Sequence, residues 1–311
     1  MTTTDNQMSD DVVLVTGSSG CLGRQVVKLL ISNDAATREI RCLDLVEPSE
    51  EMLRDNELEL DKVNGSANNK AQSVSKKKIQ YFQGDIRDIN LVESILEDLQ
   101  VTCIIHCASK IDIWTERRRQ NEDELESINV SGTETLLKSC VRFAVHKFVH
   151  VSSFEVFSSY HTIYYATEST VPEPDNLLFG PSGRSKKLAE DKVRQYANNK
   201  LRPYRLPKRT FNGDNDYLNA VILRFTPFYG ENERYFASRF LKIAKLFSGR
   251  LQKFSNIWIR QQPIYVGNAA WALICAKNKM NSDASISGEG ESRSDGLVHD
   301  DSMEEIDQIR N

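Results

Sequence analysis

Ser182 and Lys186 stand four residues apart in the stretch PSGRSKKLAEDKV, which opens on Pro181 and continues into good helix formers. Residues at this spacing lie on one face of a helix, one turn apart. The spacing therefore places a hydroxyl beside an ammonium, a pair that could take part in catalysis. A helix start followed by a surface lysine explains the same residues, and the stretch alone does not separate the two readings.

A second candidate site is the glycine-rich stretch VTGSSGCLG, which contains Gly17, Gly20 and Gly23. It follows a continuous apolar run and precedes a helical pattern, the context of a dinucleotide site. Glycine permits positive φ and close backbone approach, and a helix N-terminus attracts a diphosphate. The spacing G-x-x-G-x-x-G differs from the usual G-x-G-x-x-G, and a structural tight turn is the alternative.

Acidic residues end the next two predicted strands. Asp44 could accept hydrogen bonds from the adenosine ribose hydroxyls and would repel the extra phosphate of NADP, which favours NAD. A turn-forming role at the strand end is the alternative for Asp44. Asp85 could meet the adenine ring or cap a helix, and the chemistry does not choose between these roles.

The elements that must position these residues alternate between strand and helix patterns, which predicts an α/β fold with a Rossmann-like doubly wound parallel sheet. We expect a small C-terminal substrate-binding region beside it. The predicted strands are 12–16, 40–44, 78–85, 101–109, 147–153 and 219–225, and the predicted helices are 91–99, 129–144, 183–198, 235–247 and a buried one at 269–276.

The domain prediction divides the chain by composition. Polar stretches at about 47–78 and 198–216 are interpreted as surface insertions, the first of them partly disordered. The predicted units are a disordered N-terminus (1–10), an NAD-binding Rossmann domain (11–230), a partial substrate-binding region (231–280) and a disordered acidic tail (281–311).

Composition limits the function classes. The 311 residues carry a formal charge of -4 with mixed signs, which argues against nucleic acid as the main partner. Six cysteines form no C-x-x-C pair and no histidine cluster completes a metal site, so we expect free thiols in a reducing compartment and no metal. The polar N-terminus lacks a secretion signal, and no apolar run reaches the ~18 residues of a membrane span. These features predict a cytoplasmic protein without a membrane span.

Together the motifs resemble an extended short-chain dehydrogenase/reductase, most closely of the 3β-hydroxysteroid dehydrogenase/isomerase branch. They occur in the family's order and cover roughly residues 11–278. The matching stretches are VTGSSGCLG, CLD, GDIRD, IIHCASKIDIW, NVSGTETLL, VSSFEVF, SKKLAE, LRFTPFYGE and QPIYVGNAAWA.

The resemblance implies a role for each matching position. It implies a substrate-binding serine at Ser153, and at Lys186 the lysine that binds the nicotinamide ribose and lowers the pKa of a catalytic tyrosine. That tyrosine belongs four residues before the lysine, where this chain has Ser182. The cofactor positions implied by the resemblance are Gly17, Gly20 and Gly23 for the diphosphate, Asp44 for the ribose, Asp85 with Ile86 for the adenine, and the strand end at Cys107 and Ala108 beside the cofactor.

Ser182 puts the acid/base function in question, because a serine hydroxyl is less acidic than a phenol and shorter by a ring. Losing a general acid/base typically costs about 10²–10⁴ in rate. A water held by Ser182 and Lys186, or a loop tyrosine, could substitute; the loop candidates are Tyr160, Tyr164 and Tyr165. The family usually has an LRP segment, whereas Pro227 here is displaced by two residues.

The resulting prediction is an NAD-dependent 3β-hydroxysteroid dehydrogenase-like oxidoreductase that acts on the CH–OH group of a sterol or steroid. The alternatives are a catalytically impaired nucleotide-binding relative, acting as a sensor or protein partner, and a truncated gene product. Steroid members of the family continue for roughly another hundred residues, which help to form the pocket and to hold endoplasmic reticulum or mitochondrial membranes. Neither substrate identity nor oligomeric state can be read from the sequence.

Overall fold

The computed structural model places most of the chain, and all structural statements below concern the residues it describes. The N-terminal residues 1–10 and the loop tyrosines Tyr160, Tyr164 and Tyr165 lie outside them, as does most of the predicted second insertion. The described residues are 11–67, 76–111, 122–158, 167, 170–171, 174, 176–201, 217–250 and 262–286.

Six parallel strands form the central sheet in the order β3-β2-β1-β4-β5-β6. This order reverses between β1 and β4, and in such sheets ligands bind outside the carboxyl ends of the strands at that point. The prediction of a doubly wound parallel sheet is confirmed. The strands are β1 (Asp11–Thr16), β2 (Thr37–Asp44), β3 (Lys78–Gln83), β4 (Cys103–His106), β5 (Lys147–Ser153) and β6 (Asn219–Phe225), and a separate parallel pair consists of β7 (Phe228–Tyr229) and β8 (Ile264–Tyr265).

Helices cover both faces of this sheet, which explains why β1 is apolar at successive positions. Val12 and Leu14 pack on one face with α3 and α5, whereas Val13 and Val15 pack on the other with α1 and α8. The helices are α1 (Cys21–Ser32), α2 (Glu50–Ala67), α3 (Ile89–Leu96), α4 (Glu122–Glu126), α5 (Gly132–Phe143), α6 (Gly180–Tyr196), α7 (Ala237–Leu246) and α8 (Val266–Ile286), with a π-helical turn at Ser127–Ser131 and a 3₁₀ turn at Phe154–Val156.

Helix α2 occupies residues 50–67 of the predicted surface insertion 47–78, of which residues 68–75 lie outside the described part of the chain. Only a narrow stripe of this polar helix contacts the core, with Met52 and Asn56 buried and Leu60 and Val63 partly buried. These residues recur every three or four positions, as one helix face requires. Charged residues lie between these positions, so the overall composition of the segment does not indicate a helix with a buried face.

Helix α8 changes the interpretation of the predicted substrate-binding region 231–280. Its residues Ala269, Ala270, Leu273 and Ile274 are buried in the same cluster as α1. The α8 part of that predicted region therefore packs into the core of the doubly wound sheet. The helix also includes 281–286, the first residues of the predicted acidic tail; residues 287–311 lie outside the described part of the chain.

Among the described residues, no helix combines the length and the apolar character needed to cross a membrane, and no cluster of histidine, cysteine and acidic side chains has the arrangement of a metal site. The six cysteines all lie in the described residues and are free thiols.

Candidate active site

The glycine-rich turn joins β1 to α1 at the carboxyl edge of the sheet. Gly17 has φ +70°, and a Cβ added there would lie 2.6 Å from Ala108 N, so glycine is required on both counts. A Cβ on Gly23 would lie 2.1 Å from Gly17 O, so the helix packs directly on the turn. Gly20 immediately precedes α1, whose first turn carries no acidic residue. The turn thus leaves the positive end of the α1 dipole open to an anion, without side chains from its glycines in the way.

Asp44 ends β2 beside this turn. Its Oδ2 accepts a hydrogen bond from Ser19 N at 2.9 Å, and its Oδ1 accepts one from Val46 N at 3.1 Å. A carboxylate has about four acceptor positions, so lone pairs remain for ribose hydroxyls. This geometry fits the predicted role of Asp44 at the adenosine end of a dinucleotide.

The side chains of Asp85 and Ile86 both have partners within the chain. The Asp85 carboxylate is occupied by the Arg87 guanidinium, with Nε to Oδ2 at 2.9 Å, and this pairing lowers the pKa of Asp85. Asp85 is not the helix cap either, because Asp88 caps α3. The Ile86 side chain is buried against Gly132 in the core. The predicted contact of these two residues with an adenine stays a prediction.

Lys186 lies on α6 and its ammonium is buried at the same edge of the sheet. Its Nζ donates to Ser109 Oγ at 2.8 Å, and Ser109 follows β4 beside the Gly17 turn. Burial lowers the pKa of Lys186 from its usual value, opposed by the nearby carboxylates of Glu155 and Glu190. The surface-lysine alternative is therefore wrong.

Asn129 hydrogen-bonds to the segments on either side of Lys186, and the sequence analysis did not select it. It lies in the π-helical turn, where Gly132 N donates to Ser127 O five residues earlier. Its Oδ1 accepts from Lys110 N at 2.8 Å, and its Nδ2 donates to Ser185 Oγ at 3.0 Å. Such turns are frequent at functional sites, and this one directs a buried amide between β4 and α6.

A chain of hydrogen bonds connects Thr16, just before the glycine turn, to the main-chain carbonyl of Asn129. Thr133 Oγ1 donates to Asn129 O at 2.6 Å, so it accepts from His106 Nε2 at 2.9 Å. His106 Nδ1 then accepts from Thr16 Oγ1 at 2.7 Å. Burial, with smaller effects of His150 and Lys186, lowers the pKa of His106 well below its usual value, so the ring is neutral.

Ser153 and Ser182 meet at a third residue, Glu155, which the sequence analysis also missed. Ser182 Oγ donates to Glu155 Oε2 at 2.6 Å, and Ser153 Oγ donates to Oε1 at 3.2 Å. Glu155 is only 3% exposed and Ser182 is fully buried. A carboxylate thus occupies the space between the predicted substrate-binding serine and the predicted tyrosine position.

Close packing of α6 on the 3₁₀ turn creates this arrangement. A Cβ on Gly183 would lie 2.8 Å from Glu155 O, so only glycine permits the approach. One turn along α6 from Lys186, the buried Glu190 pairs with Arg224 of β6 and accepts from Ser152 Oγ at 2.6 Å. Helix α6 is therefore anchored to the sheet on both sides of Lys186.

The structure brings together most of the residues selected from the sequence. The turn glycines, Asp44, Ser153, Ser182 and Lys186 all lie along the carboxyl edge of the sheet. The sequence offered one signal for Glu155, namely a glutamate two residues after a serine that ends a predicted strand. Its position between Ser153 and Ser182 is visible only from its hydrogen bonds. The substitution of a loop tyrosine stays a prediction, because those tyrosines lie outside the described residues.

This combination of a doubly wound sheet, a glycine turn, a serine at the end of β5 and a buried lysine on α6 defines a Rossmann-fold protein of the short-chain dehydrogenase/reductase class. Residues 14–291 match the model of the 3-beta hydroxysteroid dehydrogenase/isomerase family. The chain belongs to that family.

Relatives and solved structures agree with this assignment. The chain is 30% identical over 276 residues to a 3 beta-hydroxysteroid dehydrogenase/Delta 5-->4-isomerase of vaccinia virus (strain Copenhagen), covering 85% of this chain and 66% of that protein. It is 27% identical over 282 residues to the mouse 3 beta-hydroxysteroid dehydrogenase type 7, covering 89% and 66%. The chain thus spans just under two thirds of these relatives' length.

Similarity to solved structures concerns the fold. The dTDP-glucose 4,6-dehydratase DesIV of Streptomyces venezuelae, solved with NAD and TYD bound, superposes with TM-score 0.61 at 23% identity, covering 86% of this chain and 71% of that one. A UDP-glucose 4-epimerase of Thermus thermophilus, solved with NAD, gives TM-score 0.59 at 20% identity, covering 85% and 74%.

Proposed function

We propose that this protein is an NAD-dependent oxidoreductase that interconverts a secondary alcohol and a ketone on a sterol or steroid. The observation that carries the proposal is the position of Lys186, whose buried ammonium lies 2.8 Å from Ser109 Oγ beside the Gly17 turn. A ligand bound along the turn would reach this ammonium at the strand ends. Family membership and the names of the relatives support the choice of steroid.

The described residues fit NAD at the adenosine and diphosphate end. The turn that Gly17 and Gly23 keep free of side chains would hold the diphosphate, and Asp44 would hold the ribose and disfavour the phosphate of NADP. Bound NAD supplies the hydride acceptor for the carbinol carbon. Lys186 binds ribose hydroxyls through its remaining protons, and Ser153 orients the substrate oxygen.

A second candidate function is a nucleotide-binding relative without turnover. Ser182 favours it, because its hydroxyl is fully buried and already bonded to Glu155, so it cannot replace a tyrosine phenol at the substrate oxygen. A sensor or protein partner would need the nucleotide site but not the proton transfer.

The test is NADH formation by purified protein with NAD and a panel of 3β-hydroxysteroids, alongside a Ser182→Tyr variant. NAD binding is measured separately by calorimetry. NADH formation by the wild type supports the oxidoreductase. A wild type that binds NAD and is silent, while Ser182→Tyr gains activity, supports the second function. Absence of NAD binding contradicts both.

A further inference from the structure

Glu155 is a buried ionisable group at the site for which the proposed function has no use. It is 3% exposed, yet both of its carboxylate oxygens accept hydroxyl hydrogen bonds, from Ser153 and from Ser182. A buried carboxylate is costly unless it is hydrogen-bonded in this way. Its position two residues after the substrate-orienting serine places an ionisable group one hydrogen bond from that serine, and two from an oxygen that the serine binds.

The hydrogen bonds of Ser153 decide which substrate group it can receive. A serine hydroxyl has one proton and two lone pairs. The proton is donated to Glu155 Oε1 at 3.2 Å, and one lone pair accepts from Glu155 N at 3.3 Å. One lone pair remains, so a substrate oxygen that reaches Ser153 must donate a proton to it. An alcohol can do so, whereas a ketone cannot.

From this geometry we infer that Glu155 is the proton acceptor for alcohol oxidation, reached through Ser153, and that it replaces the tyrosine absent at position 182. The inference rests on the proposed function and identifies its missing acid/base. As the hydride leaves the carbinol carbon for the nicotinamide ring, the alcohol O–H bond breaks and its proton passes to Ser153 Oγ. The Ser153 proton passes to Glu155 Oε1, which leaves a ketone, a neutral carboxylic acid and the reduced cofactor.

The reverse reaction uses the same atoms in the opposite sense. Protonated Glu155 donates to Ser153, and Ser153 then donates its own proton to the ketone oxygen. Ser182 holds Oε2 at 2.6 Å, which keeps Oε1 directed at Ser153. The protonation state of one carboxyl therefore sets whether Ser153 receives an alcohol or a ketone.

Lys186 of α6 is a charged group that interacts electrostatically with Glu155. The same ammonium also interacts with Glu190 of α6 and with the two histidines His106 and His150, both of which burial keeps neutral. Any pH dependence from Glu155 must be separated from these groups by substitution.

The experiment is the pH profile of kcat/KM for 3β-hydroxysteroid oxidation by wild type and Glu155→Gln, with Glu57→Gln on the exposed face of α2 as the matched control. We expect the wild type to lose activity on the acidic side as one group takes up a proton, and the control to match it. Glu155→Gln should lose about 10²–10⁴-fold in rate and lack that acidic limb, with NAD affinity unchanged.

Two further variants separate proton transfer from a structural role. Ser153→Ala and Glu155→Gln should cost no more together than either alone, because they remove one relay. Glu155→Asp keeps a carboxylate, so it should retain the acidic limb at reduced rate, and it serves if Glu155→Gln does not fold. A Glu155→Gln enzyme that is slower but keeps the wild-type acidic limb would overturn the inference and leave the proposed function standing.

A readout without turnover completes the test. Infrared difference spectra between neutral and acidic pH should show, in wild type, a protonated carboxyl band that Glu155→Gln lacks, and its absence overturns the inference. A wild type that binds NAD but forms no NADH with any steroid of the panel overturns the proposed function and, with it, this assignment.

Discussion

Lys277 and Asp11 lie 266 residues apart and form a buried ion pair, with Nζ 3.0 Å from Oδ2. Lys277 is fully buried on α8 and also lies 2.8 Å from Asp34 Oδ2, while Lys147 pairs with Asp11 at 2.9 Å. Desolvation by itself would raise the pKa of Asp11, but Lys277 and Lys147 together lower it below its usual value. The cluster fastens α8 to the start of β1, at the edge of the sheet opposite the candidate active site.

Replacing Lys277 by methionine should destabilise the fold by about 3–5 kcal/mol, because it leaves Asp11 and Asp34 buried without one of their cations. Urea unfolding followed by circular dichroism measures the change. Lys28→Met, at an exposed position on α1, is the control and should cost under about 0.5 kcal/mol. Equal stability of the two variants would show that the pair contributes nothing to holding α8.

Stability should fall as the pH drops below about 6.5, and His150 should account for part of this loss. Burial, with a smaller effect of Lys186, lowers the pKa of His150 to about 3. Between that value and about 6.5 the unfolded chain binds a proton that the folded chain refuses. Each pH unit in this window therefore costs up to about 1.4 kcal/mol for this residue.

The His150→Phe variant tests this assignment, because phenylalanine keeps a ring against Phe148 and removes the titration. Its free energy of unfolding should change less between pH 7 and pH 5 than that of the wild type, measured by urea titration at each pH. Identical slopes would assign the acid sensitivity to other groups, such as the equally buried His106.

Gly17→Ala should abolish or strongly weaken NAD binding. The new Cβ would lie 2.6 Å from Ala108 N at a backbone angle of φ +70°, so the turn must move. We expect the Kd, measured by calorimetry, to rise at least about tenfold, which corresponds to 1.4 kcal/mol. Gly65→Ala is the matched control, because nothing lies within 4 Å of its added Cβ. That change should leave NAD binding intact and stabilise α2 by up to about 1 kcal/mol.

Asp44→Asn should weaken NAD binding by about ten- to a hundredfold, since a hydrogen bond to a charged group contributes about 1.5–3 kcal/mol. NADP should lose less affinity, because the substitution also removes the repulsion of its phosphate. Calorimetry with both nucleotides measures the change in preference, and Asp55→Asn on the exposed side of α2 controls for lost charge. An unchanged ratio of the two affinities would remove Asp44 from the ribose site.

The sequence was sufficient for features that depend on local pattern. The apolar run of β1 and the glycines after it predict the strand, the turn and the anion site. A strand buried on both faces requires apolar residues at successive positions, and a positive φ favours glycine, so both features are visible in the residue types. Helix α2 escaped prediction because its buried stripe is narrow and broken by charges. The burial of Glu155 and Lys277 was not predicted for another reason. A charged residue is expected to be exposed unless tertiary contacts supply its partners.

The π-helical turn at Ser127–Ser131 affects how this segment should be aligned with the sequences of related chains. It holds one residue more than a regular helix of the same rise, and that residue offsets the helical phase of α4 from that of α5. Deleting a single residue there would let one continuous helix run through, rotated by about 100° on one side of the deletion. The Asn129 amide would then swing away from Lys110 and Ser185 while the fold persisted. A one-residue gap in an alignment at this point therefore marks a remodelled site and not a tolerated loop change.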